Sequence, residues 1–149
     1  MTTDRQTPPR GFELFEFPSP FIDQAGPFYI KGSGHDLVVG AFVESRHTNH
    51  GGFAHGGFIA TFADIALGYA CATLVDPPAG ALTLNLSIDY SGTARLGDWI
   101  ESRVELYKPE GRTKFANAYI LCNGKRIARA SAVYADTGLN RVPVSPSAD

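Results

Sequence analysis

The sequence has few cysteines, little net charge and no apolar run near its N-terminus. Only two cysteines occur among 149 residues; Cys71 and Cys122 each lie in an apolar stretch, which indicates buried free thiols rather than a disulfide or a nucleophile. The net charge of −2 argues against nucleic acid as the main partner. Because residues 1–11 contain no apolar segment typical of secretory signals, we expect a cytoplasmic protein.

The main apolar stretch runs from Phe58 to Leu74, and its clearly polar residues are Thr61, Asp64 and Thr73. It is too short, and too rich in glycine and alanine, to span a bilayer, so we expect no membrane partner. A helix over this stretch would have no water-facing stripe, which predicts a central helix covered on every side. A lone carboxylate is costly there unless other groups satisfy it, so Asp64 is the first candidate for a functional role.

Two glycines, Gly56 and Gly57, stand where this helix should begin. Backbone N–H groups at a helix N-terminus have no intrahelical partner, and the helix dipole favours a negatively charged oxygen beside them. The triplet His-Gly-Gly occurs twice, at 50–52 and at 55–57, but only the second copy adjoins the helix. The second triplet therefore predicts a site for a developing oxyanion.

Strand patterns flank the helix on both sides. The predicted strands cover residues 28–31, 37–43, 82–90, 99–107, 112–122 and 126–136. In the first strand after the helix, apolar residues at even positions from Leu82 to Tyr90 alternate with polar ones, which predicts one buried face. Residues 12–17 are expected to form a short amphipathic turn or helix. We predict an α+β fold, in which an antiparallel sheet of five to six strands curls around one long central helix.

The last four predicted strands follow one another closely and are expected to form a meander. In the last of them, Ala128, Ala130 and Ala132 share one face and are small enough for the helix to pack closely against it. The open edges of such a sheet favour pairing with a second copy. We expect a disordered leader at residues 1–10, a single domain at 11–138 and a disordered tail at 139–149, since both ends are rich in proline and small polar residues.

One motif carries a family resemblance: Asn49-x5-His55-Gly56-Gly57-x6-Asp64. Its spacing and its place before the helix resemble those of the hotdog-fold acyl-CoA thioesterases of the PaaI and hydroxybenzoyl-CoA branch. The similarity extends over residues 26–136 and includes the segments 82–90, 95–98 and 125–128. The resemblance implies a hotdog fold and hydrolysis of an acyl-CoA thioester to a free acid and coenzyme A.

The resemblance also implies roles for individual residues. Asp64 matches the catalytic carboxylate and Gly56 the amide of the oxyanion hole. Asn49 matches the polar residue that helps to hold the thioester or water, and Thr83 a supporting hydroxyl. Strict alternation places Thr83 on the face opposite the leucines of its strand, so we expect it to reach the site only if that strand lies at a dimer seam.

Four further residues are candidates for substrate binding. His55 is expected to shape the glycine turn and to contact the ligand together with Gly57. Arg112 and Lys114 follow a hairpin and match the region in which basic residues hold coenzyme A phosphates in similar proteins, although a solvated charged hairpin is an equal alternative. No separate cofactor is expected, because coenzyme A is part of the substrate.

Other candidates have structural alternatives. Asp64 could be a buried carboxylate bonded to loop backbone, and Asn49 could simply turn the chain. The histidines at 47, 50 and 55 suggest a metal, but their spacing fits no standard zinc pattern and no cysteine joins them. We therefore expect no metal site.

Helix geometry constrains how Gly56 and Asp64 can act together. Eight residues separate them, which corresponds to about 12 Å along a helix. One chain cannot bring both groups to the same carbonyl, so the active site is predicted to combine Gly56 and Asn49 of one subunit with Asp64 and Thr83 of another. This arrangement requires a dimer or a tetramer.

Two other functions compete with thioester hydrolysis. A non-catalytic module that binds or senses acyl-CoA would share the fold, but would be expected to have an altered acid. A hotdog hydratase or dehydratase would need a histidine-and-acid arrangement that is not found here in its usual setting. For the hydrolase, the sequence leaves open whether Asp64 activates water or attacks the thioester directly.

Overall fold

A computed structural model describes residues 6–76, 78–106 and 112–141. The strands are β1 (Glu13–Leu14), β2 (Tyr29–Lys31), β3 (Val38–Phe42), β4 (Ala79–Tyr90), β5 (Trp99–Leu106), β6 (Thr113–Cys122) and β7 (Lys125–Arg141). The α-helices are α1 (Pro20–Ala25) and α2 (Gly56–Ala72), and two 3₁₀ turns lie at Gly34–Asp36 and Ser45–His47.

The strands form one antiparallel sheet in the order β1-β2-β3-β5-β6-β7-β4. Helix α2 packs against β4, β5, β6 and β7, and among its own residues only Gly57 is exposed. The α+β architecture with one central helix is therefore confirmed. The alanine face of β7 is buried as predicted, with Ala128, Ala130 and Ala132 at most 3% exposed.

The sheet has seven strands because the N-terminal segment contributes β1, where a turn or helix was expected. Phe15, just after β1, is buried, and its N–H donates to the Phe28 carbonyl at 2.9 Å. The first helix begins only at Pro20, a residue that the first helical turn tolerates because its missing N–H is not needed there. The Ser19 hydroxyl caps this helix by accepting from the Ile22 N–H.

The predicted meander is wrong at its first step. Strand β4 pairs with β7 at one edge of the sheet, whereas β5 pairs with β3 on the far side of β6. The connection between β4 and β5 crosses beside the start of α2, where the Ala54 N–H donates to the Ala94 carbonyl at 2.8 Å and Phe53 bridges to Arg95. Strand periodicity along the chain does not specify which strand becomes the neighbour.

The single buried face predicted for β4 is also wrong, because the strand contains a bulge. Its register against β7 shifts between Thr83 and Asn85, which leaves Leu84 as the extra residue. Before the bulge the odd position Thr83 faces the helix, and after it the even positions Leu86 and Ile88 do so. Leu82 and Leu84 are each 57% exposed in the single chain.

The domain boundaries remain predictions. Strand β7 continues to Arg141, three residues past the expected end of the domain at 138. Residues 1–5 of the leader and 142–149 of the tail lie outside the described residues, as does most of the hairpin between β5 and β6. The hairpin at Asn123 and Gly124 is confirmed, with positive φ at both residues.

Both cysteines are buried free thiols, as predicted. Burial raises the pKa of Cys71 and of Cys122 to about 11, so neither is a thiolate at neutral pH. In the part of the chain that the structure describes, no helix is long and apolar enough to cross a membrane.

Candidate active site

The second His-Gly-Gly triplet starts α2 and leaves one backbone donor open. His55 is the N-cap, and its Nδ1 accepts the Gly57 N–H at 2.8 Å. Among the described residues the Gly56 N–H has no acceptor, so it is available to an oxygen outside the chain. The first triplet forms a turn, in which Gly52 has a φ of +77°. This turn lies before the helix and does not adjoin it. Gly56 is thus an open donor, whereas the Gly57 amide is occupied.

The Asn49 side chain closes the loop before the helix. Its Oδ1 accepts from the Gly51 N–H at 2.9 Å and from the Phe53 N–H at 3.2 Å. The structural alternative for Asn49 is therefore real, since it turns the chain. Its Nδ2 makes no hydrogen bond within the described part of the chain, so any contact with substrate or water would use this amide group as a donor.

Asp64 lies half-buried on α2, and its two carboxylate oxygens have different surroundings. Oδ1 accepts from the Thr83 hydroxyl at 2.9 Å and from the Tyr134 hydroxyl at 2.9 Å. Oδ2 accepts no hydrogen bond from the described residues. It is not fully buried, since no fully buried side-chain oxygen among those residues lacks a partner. Thr83 reaches Asp64 within one chain, because the bulge turns it toward the helix; no dimer seam is required for this contact.

Sequence reasoning missed Tyr134. The residue continues the buried face of alanines on β7 and is 1% exposed. Its single hydroxyl proton is shared between Oδ1 and the Asp64 carbonyl, whose oxygen lies 3.0 Å away. Burial and the adjacent Asp64 carboxylate raise the pKa of Tyr134 far above its ordinary value, so its hydroxyl stays protonated as a donor. The available signal was a tyrosine at the end of a run of alternating alanines, since a buried tyrosine hydroxyl needs a polar partner.

Tyr90 is a second residue that sequence reasoning assigned only to packing. Its hydroxyl donates to the Gly56 carbonyl at 2.5 Å, which ties the end of β4 to the first residue of α2. The bulge at Leu84 makes this possible, because it places the even positions toward the helix. Burial raises the pKa of Tyr90, so this hydroxyl too remains a donor at neutral pH.

The two basic candidates occupy different environments. Arg112 is exposed just before β6, whereas Lys114 is 2% exposed and its Nζ donates to the Cys71 carbonyl at 3.1 Å. Nζ also lies 4.0 Å from Oδ2 of Asp136. The C-terminal end of a helix favours a cation, because its last carbonyl groups carry partial negative charge. The Lys114 ammonium therefore caps the C-terminus of α2 from inside the protein. Its position does not favour a contact between Lys114 and coenzyme A phosphates.

Two main cavities lie in the described part of the chain, and neither contains the donor or the carboxylate. The larger of the two main cavities, about 1190 Å³, lies between the N-terminal segment and the end of β3, and the smaller one lies on the outer face of the sheet. Neither is lined by Gly56 or Asp64. The described residues contain no group of three or more His, Cys, Asp or Glu side chains that could hold a metal ion.

Comparison with known proteins defines the class. The family model described as "Thioesterase superfamily" matches residues 51–118, a span that includes Gly56, Asp64 and Thr83. A protein of Pseudomonas aeruginosa provisionally named as an esterase, PA0474, is 39% identical over 127 residues, which cover 85% of this chain and 95% of the relative. The chain belongs to the thioesterase superfamily.

Two solved structures show the same fold. A mutant of the phenylacetic acid degradation protein PaaI from Thermus thermophilus is 26% identical, with a TM-score of 0.70, and the match covers 79% of this chain and 99% of that one. Zebra fish thioesterase superfamily member 2 is 26% identical, with a TM-score of 0.72, and the match covers 79% of this chain and 88% of that one. The hotdog fold and the PaaI resemblance predicted from the sequence are confirmed.

Proposed function

We propose that the protein is an acyl-CoA thioesterase, which hydrolyses the thioester to a free carboxylic acid and coenzyme A. The observation that carries this proposal is the environment of Asp64: two hydroxyls contact Oδ1, while Oδ2 accepts no hydrogen bond from the described residues and is not fully buried. A carboxylate held in this way is suited to attack the thioester carbon or to activate a water molecule beside it. The family membership supports the same class of reaction.

The open Gly56 N–H is proposed to stabilise the thioester oxygen as it gains negative charge. It is the first amide of a 17-residue helix, so the helix dipole adds to the hydrogen bond. Loss of one such donor typically costs about 3 kcal/mol of transition-state stabilisation. Tyr90 supports this role, because it holds the carbonyl of the same residue. Asn49 Nδ2 is proposed as a further donor to the thioester or to water.

We propose that each site combines two protomers, since Gly56 and Asp64 lie about 12 Å apart along one helix. The half-buried face of α2 that carries Asp64 also carries Ala60 and Ile65, which suits contact with another protein surface. Beside it, β4 forms an edge of the sheet and exposes Leu82 and Leu84. An edge strand with exposed leucines is a template for pairing with a second copy.

Recognition of the substrate is proposed to involve the exposed Arg112 and the Nε2 of His55. The Nδ1 of His55 accepts a hydrogen bond, so in the neutral ring Nε2 carries the proton and can donate to a ligand. Arg112 suits a phosphate of coenzyme A. Coenzyme A enters as part of the substrate, and the proposed reaction requires no cofactor or metal, because a thiolate is a good leaving group.

The test is thiol release from a panel of aromatic and aliphatic acyl-CoAs, with the wild type compared with Asp64→Asn. We expect hydrolysis of at least one class by the wild type, and a loss of about a hundredfold or more in kcat/KM for the variant. Asp36→Asn, which removes an exposed carboxylate in a 3₁₀ turn, is the matched control and should retain activity.

Two results would contradict the proposal. Activity that Asp64→Asn leaves unchanged would mean that the site lies elsewhere. Tight binding of acyl-CoA without hydrolysis of any panel member would favour the non-catalytic binding module instead. Thermal unfolding and the association state of each variant show whether a loss of activity reflects the site or the fold.

A further inference from the structure

Tyr134 contacts Asp64 at two points, and packing alone does not require both. Its hydroxyl oxygen lies 3.0 Å from the backbone carbonyl oxygen of Asp64 and 2.9 Å from the carboxylate Oδ1, so its single proton is shared between these two acceptors. A buried tyrosine hydroxyl needs one acceptor, and the backbone carbonyl would be sufficient. The second contact reaches the side chain to which we assign the reaction.

The two donors to Oδ1 come from neighbouring strands. Thr83 of β4 and Tyr134 of β7 are cross-strand partners in the register of the sheet. The bulge at Leu84 follows directly, and it allows Thr83 to face the helix although the later apolar positions of β4 also do so. Two rigid strands therefore present two hydroxyls to the same oxygen, which restricts rotation of the carboxylate about its Cβ–Cγ bond.

The Tyr134 ring packs against Gly68, which lies one turn after Asp64 on α2. A Cβ atom at position 68 would lie 3.3 Å from Cε1 of the ring, closer than an ordinary van der Waals contact. The glycine therefore lets the ring lie directly against the helix. This contact places the hydroxyl within hydrogen-bond distance of both the backbone and the side chain of Asp64.

We infer that Tyr134 is a positioning residue for the proposed hydrolysis: with Thr83 it holds Oδ1 of Asp64, so that Oδ2 faces the reacting carbon or the attacking water. Tyr134 is 1% exposed and does not touch the substrate itself. Its hydroxyl remains protonated and transfers no proton in the reaction. The inference rests on the proposed function, since it assigns a role to a neighbour of the carboxylate in that reaction.

The first test is Tyr134→Phe, which removes only the hydroxyl. Misplacement of a reacting group by a fraction of an ångström reduces the rate of the chemical step, so we expect kcat to fall at least about tenfold. KM should stay within about twofold, because no substrate contact is lost. Tyr119→Phe, which removes a half-buried tyrosine hydroxyl on β6, is the matched control and should leave kcat unchanged.

A second variant, Gly68→Ala, keeps the hydroxyl but displaces the ring. Alanine favours the helix over glycine by about 1 kcal/mol, which offsets the crowding of the ring, so thermal stability should change little. We nevertheless expect kcat to fall. If the role of Tyr134 were purely structural, the activity of each variant would follow its folded fraction. The kcat of folded Gly68→Ala would then equal that of the wild type.

The outcomes separate this inference from the proposed function. Wild-type kcat in folded Tyr134→Phe, with Asp64→Asn inactive, would overturn the positioning role and leave the thioesterase proposal standing. If Tyr134→Phe does not fold, Gly68→Ala decides the question, and unchanged kcat in that variant overturns the inference. Activity that survives Asp64→Asn would contradict the proposed site itself.

Discussion

His47 shows how much a single buried side chain connects in this protein. The residue is 4% exposed, its Nδ1 accepts the Glu44 N–H at 3.0 Å, and its Nε2 donates to the Ala25 carbonyl at 2.7 Å. Its ring stacks on Phe58 with the two centroids 3.9 Å apart. The neutral ring thus links the N-terminal segment, the loop before α2 and the helix itself, and both of its nitrogens are satisfied.

The titration of His47 predicts that stability falls in mild acid. Burial lowers the pKa of His47 below its ordinary value of 6.5, and the charge of Arg46 adds to this effect, whereas the bond to Ala25 opposes it. The unfolded chain therefore takes up a proton near pH 6.5, where the folded protein does not. The contribution of the neutral His47 ring to the free energy of unfolding is thus complete above that pH. It should be lost progressively as the pH falls from there toward the folded pKa.

Urea unfolding between pH 5.5 and 7.5 measures this effect. We expect the free energy of unfolding of the wild type to decrease toward the acid end of the range, and His47→Gln to be less stable but to lack this part of the slope. His35→Gln, at an exposed histidine, should keep the wild-type slope. An equal slope in the wild type and in His47→Gln would contradict the assignment.

At the scale of elements, the second His-Gly-Gly triplet, and not the first, caps the start of α2. His55 accepts the Gly57 N–H, whereas His50 lies in the exposed turn before it. The two triplets have the same local composition, and only their position relative to the apolar run distinguishes them. The pair therefore offers an internal control for the energy of the cap.

We expect His55→Ala to lower the free energy of unfolding by about 1 kcal/mol, the usual cost of losing a side-chain N-cap. His50→Ala should change it by less than about 0.5 kcal/mol, as is usual for an exposed residue without such a role. Chemical denaturation of both variants at pH 8 provides the measurement. Equal effects of the two substitutions would show that the cap is not the origin of the loss.

At the scale of the whole molecule, we expect the proposed site to be complete only in an assembly of protomers. Gly56 is the first residue of α2, a position that tolerates proline and where proline removes the N–H donor. Gly56→Pro and Asp64→Asn thus delete one proposed group each from opposite components of a composite site. Each protein alone should be strongly impaired in hydrolysis of the substrate.

Mixing the two impaired variants should restore activity. A hybrid dimer of Gly56→Pro with Asp64→Asn has one site in which the intact donor and the intact carboxylate meet, and a second site that lacks both. Thiol release should appear as protomers exchange, with differently tagged chains used to purify the hybrid. Purified, folded hybrids without activity would contradict a site shared between protomers.

The sequence indicated the central helix, the strands and most of the candidate residues, because these features depend on local patterns. An unbroken apolar run predicts a buried helix, and the lone carboxylate in it points to Asp64. The second glycine triplet predicts the helix start, which the structure places at Gly56. The inward position of Lys114 was not indicated, because the sequence alone does not show which way its ammonium points.

Only the tertiary structure decided which strands are neighbours and which side chains meet. Strict alternation placed Thr83 away from the helix, but the bulge at Leu84 reverses the faces of β4 and brings that hydroxyl to Asp64. Tyr134 joins it from a strand 70 residues beyond Asp64 in the chain. Such contacts depend on register and on which strands pair, so the sequence determined the carboxylate, whereas the folded sheet decided which of its oxygens is held and which is open.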